Sequence, residues 1–399
     1  MISEAFVHAR FADGSSHLVG RCRLADRLGQ FAYAGSWREN RHGRAFPLHP
    51  ERMPLDGGEF VLRTRSQIGP LADSTPDSWG RRIVEALQGP EHRPGNGIEW
   101  LLASGDERVG CLAFSRTPSP PAVRAAVGAD SDLGRFASAF AAIERGEAAD
   151  PLSEHLFRAG ASLGGARPKA VIAQDDQLWI AKFSRTSDGF DHCAAEHAAM
   201  RLAQVCGIDA AATRLANAGV RRAVLVQRFD RTPGPDFRPS AHYLSALSAL
   251  DLDETAQGGS YAAIAGFLRR VSADHRADAV ELFRRMVFNV LVGNRDDHLK
   301  NHAVLFRPGQ GWRLAPAFDV MPQPEFAPVQ AISVGRFGTT ASLANCYTLC
   351  GEFGLHDDEA RAVAGGIVER LRNWRPFFAA HEVDASTIRR LGGAFAPTL

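Results

Sequence analysis

No feature of the chain restricts its fold more than Ser272 to Asn294, SADHRADAVELFRRMVFNVLVGN, where Val280, Phe283, Met286, Val287, Val290 and Leu291 recur at helical spacing. Side chains so spaced share one side of a helix, and a helix with that much apolar surface has to be buried. Its exit is fixed in kind. Gly293 ends the pattern, and Asn294 to Asn301 read NRDDHLKN. A buried helix therefore presents Asp296 rigidly, in a dense polar loop. A second carboxylate, Asp319, follows the mostly apolar run Trp312 to Phe318, so a strand or turn can hold it firmly too. On composition alone, such a polar cluster is most often a solvated loop between two helices.

The rest of the chain narrows the choice. At 399 residues it exceeds what one core usually supports, which predicts two or more subdomains. Lys and Arg number 46 against 45 Asp and Glu, so no global basic field argues for autonomous nucleic-acid binding. The start, MISEAFVHARFADG, lacks a basic segment followed by an apolar core, and no run of about 18 apolar residues exists. The six cysteines are scattered; only Cys346 and Cys350 are near neighbours, and no second pair completes a zinc site. A reduced, cytoplasmic protein with no membrane association is the expectation.

Up to about residue 65 the chain reads as short strands with turn punctuation: AFVHARF, HLVGRCRL, QFAYAGSW and EFVLRTR, with Trp37 and Phe46 as core residues. Asp77 or Ser78, after Pro76, is a good N-cap for a helix over WGRRIVEAL. A further helix around Ile98 to Leu102 and a turn into CLAFSR follow, then a Pro- and Ala-rich boundary near 116–130. LGRFASAFAAIERGE puts Phe136, Phe140 and Ile143 on one helix face.

Residues 158–183 are RAGASLGGARPKAVIAQDDQLWIAKF. The small residues Gly160, Ser162, Gly164, Gly165 and Ala166 let backbone N–H groups approach an anion. The pattern matches neither the P-loop nor a full G-x-G-x-x-G, and a plain hairpin turn accounts for it as well. Two strands follow, KAVIA and LWIAKF, the second ending in Lys182. The helix DHCAAEHAAMRLAQVCG buries Ala195, Ala198, Ala199, Leu202 and Val205 and stops at Gly207, with Glu196 off that face and available to Lys182. A surface lysine and a solvated glutamate remain the plain alternative. Ala223 to Val226 form a strand whose exit, Gln227 to Phe229, suits an adenine-side hinge or an ordinary buried strand. Residues 341–399 read as scaffold helices, HDDEARAVAGGIVERLRNW most clearly.

Taken in order, these parts resemble those of a protein kinase: Gly-rich turn, strand lysine, helix glutamate, Asp-x4-Asn, then a metal-binding Asp. Asp296 and Asn301 are five apart, with Arg295 before the Asp, as in H-R-D-x-x-x-x-N. The departures are Asn294 in place of the kinase His, His298 two after the Asp, and no Gly after Phe318-Asp319. Over nearly its whole length the chain resembles the HipA family, bacterial serine/threonine-protein kinase toxins of type II toxin–antitoxin modules. The resemblance rests on GRCRLADRLGQFAYAGSW, AFPLHPERMP, LADSTPDSWG, SLGGARPK, WIAKF, VQRFDR, GNRDDHLKN and LAPAFDV.

The resemblance implies an α+β, protein-kinase-like two-lobed fold. Residues 1–125 would be a small β-rich N-terminal subdomain, 126–240 the ATP-binding part, and 241–399 a mostly helical catalytic lobe. It implies Asp296 as the catalytic Asp, Asn301 and Asp319 as Mg²⁺ ligands, and Lys182, paired with Glu196, as the ATP-phosphate lysine. His298 and Lys300 would line the phosphate side, and Gly164, Gly165, Ala166, Arg167 and Lys169 would form the ATP-contacting turn. Gln227, Arg228, Phe229 and Phe318 fall on the nucleotide side, and Ser162 matches the serine at which members autophosphorylate. The implied partners are a HipB-like helix-turn-helix antitoxin, operator DNA mainly through it, and a protein substrate, for better-known members glutamyl-tRNA synthetase. A catalytically weak corepressor, a small-molecule kinase and a phosphate-cradling hydrolase are the alternatives.

Overall fold

Alternation of buried and solvent-facing residues builds the first sheet. The computed structural model describes residues 3–25, 28–88, 93–123, 127–145, 165–254, 259–324 and 327–395. Strands β1 (Glu4–Arg10), β2 (Ser16–Ala25), β3 (Leu28–Tyr33), β4 (Glu59–Leu62) and β5 (Leu112–Ser115) pair antiparallel in the order β4-β3-β2-β1-β5. Two expected strands are shorter than their apolar patterns. The third stops at Tyr33, and Gly35–Arg38 coils into helix α1, which turns Trp37 into the core with its indole N–H on the Phe46 carbonyl at 3.1 Å. The fourth stops at Leu62, because Arg65, Ser66 and Gln67 all take positive φ, a conformation no strand accommodates. Trp37 and Phe46 are both fully buried.

Helices α2 (Ser78–Gln88), α3 (Gly97–Ala103) and α4 (Leu133–Glu144) come next. Asn96 caps α3, accepting from Glu99 N at 2.9 Å. The second sheet holds β6 (Gly128–Ala129), β7 (Lys169–Gln174), β8 (Gln177–Phe183), β9 (Thr213–Ala218) and β10 (Arg221–Gln227), in the order β6-β7-β8-β10-β9. Asp175 and Asp176, both at positive φ, make the tight β7–β8 turn. On one face α4 lays Phe136, Phe140 and Ile143 beside Trp79, Ile83 and Trp100. On the other lies α5 (His192–Val205), whose alanines allow close approach to β9 and β10 and which runs out at Gly207, φ +80°.

The C-terminal half is mostly helical: α6 (Ala246–Ala249), α7 (Tyr261–Val271), α8 (His275–Val292), α9 (Leu343–Tyr347), α10 (Asp357–Leu371), α11 (Trp374–Ala380) and α12 (Ala385–Leu391). A small sheet of β11 (His242–Ser245), β12 (Ala303–Arg307) and β13 (Gly311–Leu314) accompanies them. The α8 helix is the one read from the apolar spacing; Phe283, Met286, Val287 and Leu291 are buried along it. The architecture is α+β. None of the described helices is long and apolar enough to cross a membrane. The six cysteines are free thiols.

Candidate active site

Four segments converge: the end of β8, the N-terminal part of α5, the loop after α8 and the loop after β13. Lys182 is the penultimate residue of β8, and Glu196 is buried one turn into α5. The Lys182 Nζ donates to Glu196 Oε1 and to Asp319 Oδ1, both at 2.5 Å. Burial alone would depress the Lys182 ammonium, but Asp319 and then Glu196 outweigh it and hold its pKa above the ordinary range. Lys182 in turn keeps the half-exposed Asp319 carboxyl well below the usual carboxylate range. Directly across the β7–β8 register stands Lys169, buried, its pKa lowered to about 8 by burial and then by the neighbouring Lys182 charge. Two ammonium groups side by side on one sheet face repel, and the Asp319 and Glu196 carboxylates at Lys182 offset that repulsion.

Asp319 has φ +60°, a left-handed conformation that Asp tolerates better than most residues. Its approach is pinned by backbone: Ala317 N donates to Asp209 O at 2.7 Å, and Ala211 N to Ala317 O at 2.9 Å. Arg285 of α8 ties the same place, donating to Ala315 O and Asp209 O.

Gly293 ends α8 at φ +67°, in the left-handed cap that glycine favours. The loop it releases presents Asp296 to solvent and buries Asp297. Asp296 has a raised pKa, by burial of part of the group and then by the Asp319 and Asp297 charges, with His298 opposing. Asn301 donates through Nδ2 to Asp296 O at 3.1 Å, which leaves its side-chain oxygen as the ligand atom on offer. Phe318 packs on Phe229, ring centroids 5.7 Å apart.

Some expected residues are directed elsewhere. The Arg228 side chain is buried and fully engaged with Asp230 and the carbonyls of Glu107 and Arg108, so it is not available to a ligand. Arg167 holds Asp188 at 2.8 Å and His192 at 2.9 Å. Gln227 bonds Gln177 at 2.7 Å through its side chain, and the Ala166 carbonyl accepts from Arg185. Ser162 and Gly164 lie outside the described residues.

Two residues hold the site together in ways their sequence context did not signal. Asp77 sits at the N-cap position, where Arg81 N reaches its carbonyl, but its carboxylate accepts from Gly165 N at 2.7 Å and from Lys300 Nζ at 2.7 Å. Those partners are 88 and 223 residues away. Asp297 accepts from Tyr261 Oη and pairs with His302 Nε2 at 2.9 Å, while Asn289 donates to the same Tyr261 hydroxyl at 3.2 Å. In the pair Asp296-Asp297 nothing in the sequence tells the solvent-facing carboxylate from the buried one.

Among the described residues no cluster of three or more His, Cys, Asp or Glu is built to hold a metal by itself. One carboxylate and one amide oxygen are instead a hard, incomplete donor set, which suits Mg²⁺ sharing its coordination with phosphate oxygens.

A family model described as the HipA-like C-terminal domain matches residues 161–375. Over 173 residues the chain is 32% identical to a Sinorhizobium fredii protein named "Putative kinase Y4mE", a stretch covering 41% of this chain and 40% of that one. A Haemophilus influenzae protein named "Putative kinase" is 31% identical over 143 residues, 33% of this chain and 42% of the other. The chain thus matches about two fifths of the length of these curated relatives. HipA from the HipA, HipB and operator DNA complex of the Shewanella oneidensis MR-1 toxin–antitoxin system superposes with a TM-score of 0.70 at 18% identity, covering 97% of this chain and 94% of the other. At that identity the likeness is one of fold.

Proposed function

The chain belongs to the family that carries the HipA-like C-terminal domain, and on that premise we propose that it is an ATP-dependent kinase acting on serine or threonine of a protein. The observation that carries the reading is Lys182, whose ammonium meets both the α5 glutamate and Asp319. The first of these, strand lysine to helix glutamate, is the ion pair that protein kinases need for activity. In this reading residues 126–240 hold the nucleotide, 241–399 carry the catalytic loop, and 1–125 form the β-rich N-terminal part.

The roles follow from the chemistry of each group. Lys182, held by Glu196, offers a fixed positive charge to the ATP phosphates, with Lys169 behind it. Gly165 and its turn approach the phosphates through backbone, while Phe229 and Phe318 supply an apolar wall on the adenine side. Asn301 and Asp319 are the residues that would hold Mg²⁺, which when bound neutralises phosphate charge. Asp296 orients the substrate hydroxyl and accepts its proton; its raised pKa makes it a better base than an ordinary carboxylate. Catalysis is then mostly positioning and charge compensation, as expected where the protein does little covalent chemistry.

The assignment extends to a HipB-like antitoxin as partner, contact with operator DNA through it, an aminoacyl-tRNA synthetase such as glutamyl-tRNA synthetase as substrate, and autophosphorylation at Ser162. A phosphoserine carries about −1.5 to −2 charge and would be repelled by the ATP phosphates, so modification there silences the enzyme. The test is mass spectrometry after incubation with Mg-ATP. The Ser162 peptide gains a phosphate in the wild type and none in Asp296→Asn. Equal phosphorylation of the two proteins would remove Asp296 from its assigned role.

A further inference from the structure

One carboxylate links the Gly-rich turn to the catalytic loop, and it comes from neither. Asp77 lies at the start of α2, in the stretch LADSTPDSWG. Its Oδ2 accepts from Gly165 N at 2.7 Å, and its Oδ1 accepts from Lys300 Nζ at 2.7 Å. The turn is gripped a second time there, since Trp79 N donates to Gly165 O at 3.3 Å. Gly165 itself has φ +97°, and a Cβ built on it would fall 2.3 Å from Lys169 Nζ. The turn is therefore seated closely over the buried lysine.

The support behind Asp77 is built in the same way. Glu254 Oε1 takes a second bond from Lys300 at 3.1 Å and lies 3.7 Å from the buried Arg65 guanidinium. Arg65 is joined to Asp73, which accepts from both Ser245 N and Ser245 Oγ at 2.8 Å. Residues 65–79 are thus anchored on the C-terminal lobe before they present Asp77. Three things follow from position alone: the turn cannot shift without breaking the Gly165 bond, Lys300 cannot swing without leaving the carboxylate, and both losses act through one residue.

We infer that Asp77 is a positioning residue for phosphoryl transfer: it clamps the Gly165 turn and Lys300 into one rigid phosphate seat, and so makes the N-terminal part of the chain a component of the active site. The inference rests on the kinase reading for its catalytic meaning, but the clamp itself is open to test without nucleotide. A carboxylate that bonds a backbone N–H and an ammonium together does more than either bond alone, because charge-assisted bonds are the strong ones.

The experiment has two readouts on the full chain. The first is hydrogen–deuterium exchange at the Gly165 amide in nucleotide-free protein. Asp77→Ala removes the acceptor and speeds that exchange by about tenfold or more, whereas Asp77→Asn keeps an acceptor oxygen and stays near wild type. Unchanged exchange in a folded Asp77→Ala protein overturns the clamp. The second is affinity for Mg²⁺ with a non-hydrolysable ATP analogue, in a cycle of Asp77→Asn and Lys300→Met. Asp77→Asn weakens binding about threefold in the wild-type background and has no effect once Lys300 is Met. Additive losses overturn the link to Lys300. A wild type that binds no nucleotide sinks the kinase reading, while the exchange rates still decide the clamp.

Discussion

Lys182 shows how much a single side chain is asked to do. Its ammonium is the shared partner of two carboxylates, one of them, Glu196, buried on α5. Replacing it removes the charge proposed to meet the ATP phosphates and strands a buried carboxylate, and breaking a buried pair costs more than the pair contributes. Lys182→Met is expected to lose ATP turnover and about 3 kcal/mol of stability. Adding Glu196→Gln should restore most of the stability and none of the turnover, which thermal melts and a phosphate-transfer assay would separate. Equal melts for Lys182→Met and wild type would mean that the pair is not held in solution. At this scale the sequence was readable where a residue type has one plausible task. A lysine at a strand end, a glutamate off the apolar face of the next helix and an Asp-x4-Asn spacing all named positions that the fold brings to one place or onto its loop. It was unreadable where the task depends on a distant partner. Arg228 looks like a nucleotide-side cation until Asp230 and the carbonyls of Glu107 and Arg108 are seen around it.

Among the elements, α8 governs the candidate site because its last turn sets where the Asp296 loop begins. Gly293 closes it at φ +67°, and a Cβ there would lie 2.2 Å from Ala394 O. Gly293→Ala therefore meets both backbone strain and a carbonyl that cannot yield cheaply. We expect a loss of about 2 kcal/mol or more, read as a lower melting temperature. The loop is held from within by a buried chain of polar groups. Asn294 donates to Asn289 Oδ1 at 3.1 Å, Asn289 to the Tyr261 hydroxyl, and that hydroxyl to Asp297. Tyr261→Phe leaves Asp297 with His302 but one donor fewer, at a cost of about 1–3 kcal/mol. Because Asp297 adjoins Asp296, its displacement should lower kcat more than it raises KM for ATP. A change confined to KM would remove this network from catalysis. Periodicity alone revealed the helix and its buried face. The polar chain was hidden, since Tyr261 and Asn289 fall at apolar-looking positions of α7 and α8 and only packing sets them against Asp297.

At the scale of the whole molecule, the N-terminal sheet is joined to the C-terminal lobe through histidines. His49 Nε2 reaches Ala249 O at 3.1 Å, and His242 Nε2 reaches Leu48 O at 3.1 Å, partners 200 and 194 residues apart. The His242 ring also stacks on Phe46 at 4.8 Å, and Phe46 packs on Phe306 at 5.3 Å. No local pattern announces such a junction, and so the chain's strands and helices were easier to read than their docking. Burial lowers the His242 pKa from its ordinary 6.5 to about 4, so this imidazole stays neutral in the folded protein. The unfolded chain takes up that proton near pH 6.5 while the folded one resists until about pH 4. Stability is thus fully present above 6.5 and drains away as pH falls from 6.5 towards 4, by about 2 kcal/mol at pH 5 for this one group. His242→Gln should cost stability at pH 7.5, where it disturbs the stack on Phe46 and the bond to Leu48, yet lose less on acidification than the wild type does. Urea melts of both proteins at pH 7.5 and pH 5 measure the difference of differences. An acid loss of equal size in the two would mean that the junction opens, or hydrates, before His242 is asked to carry charge.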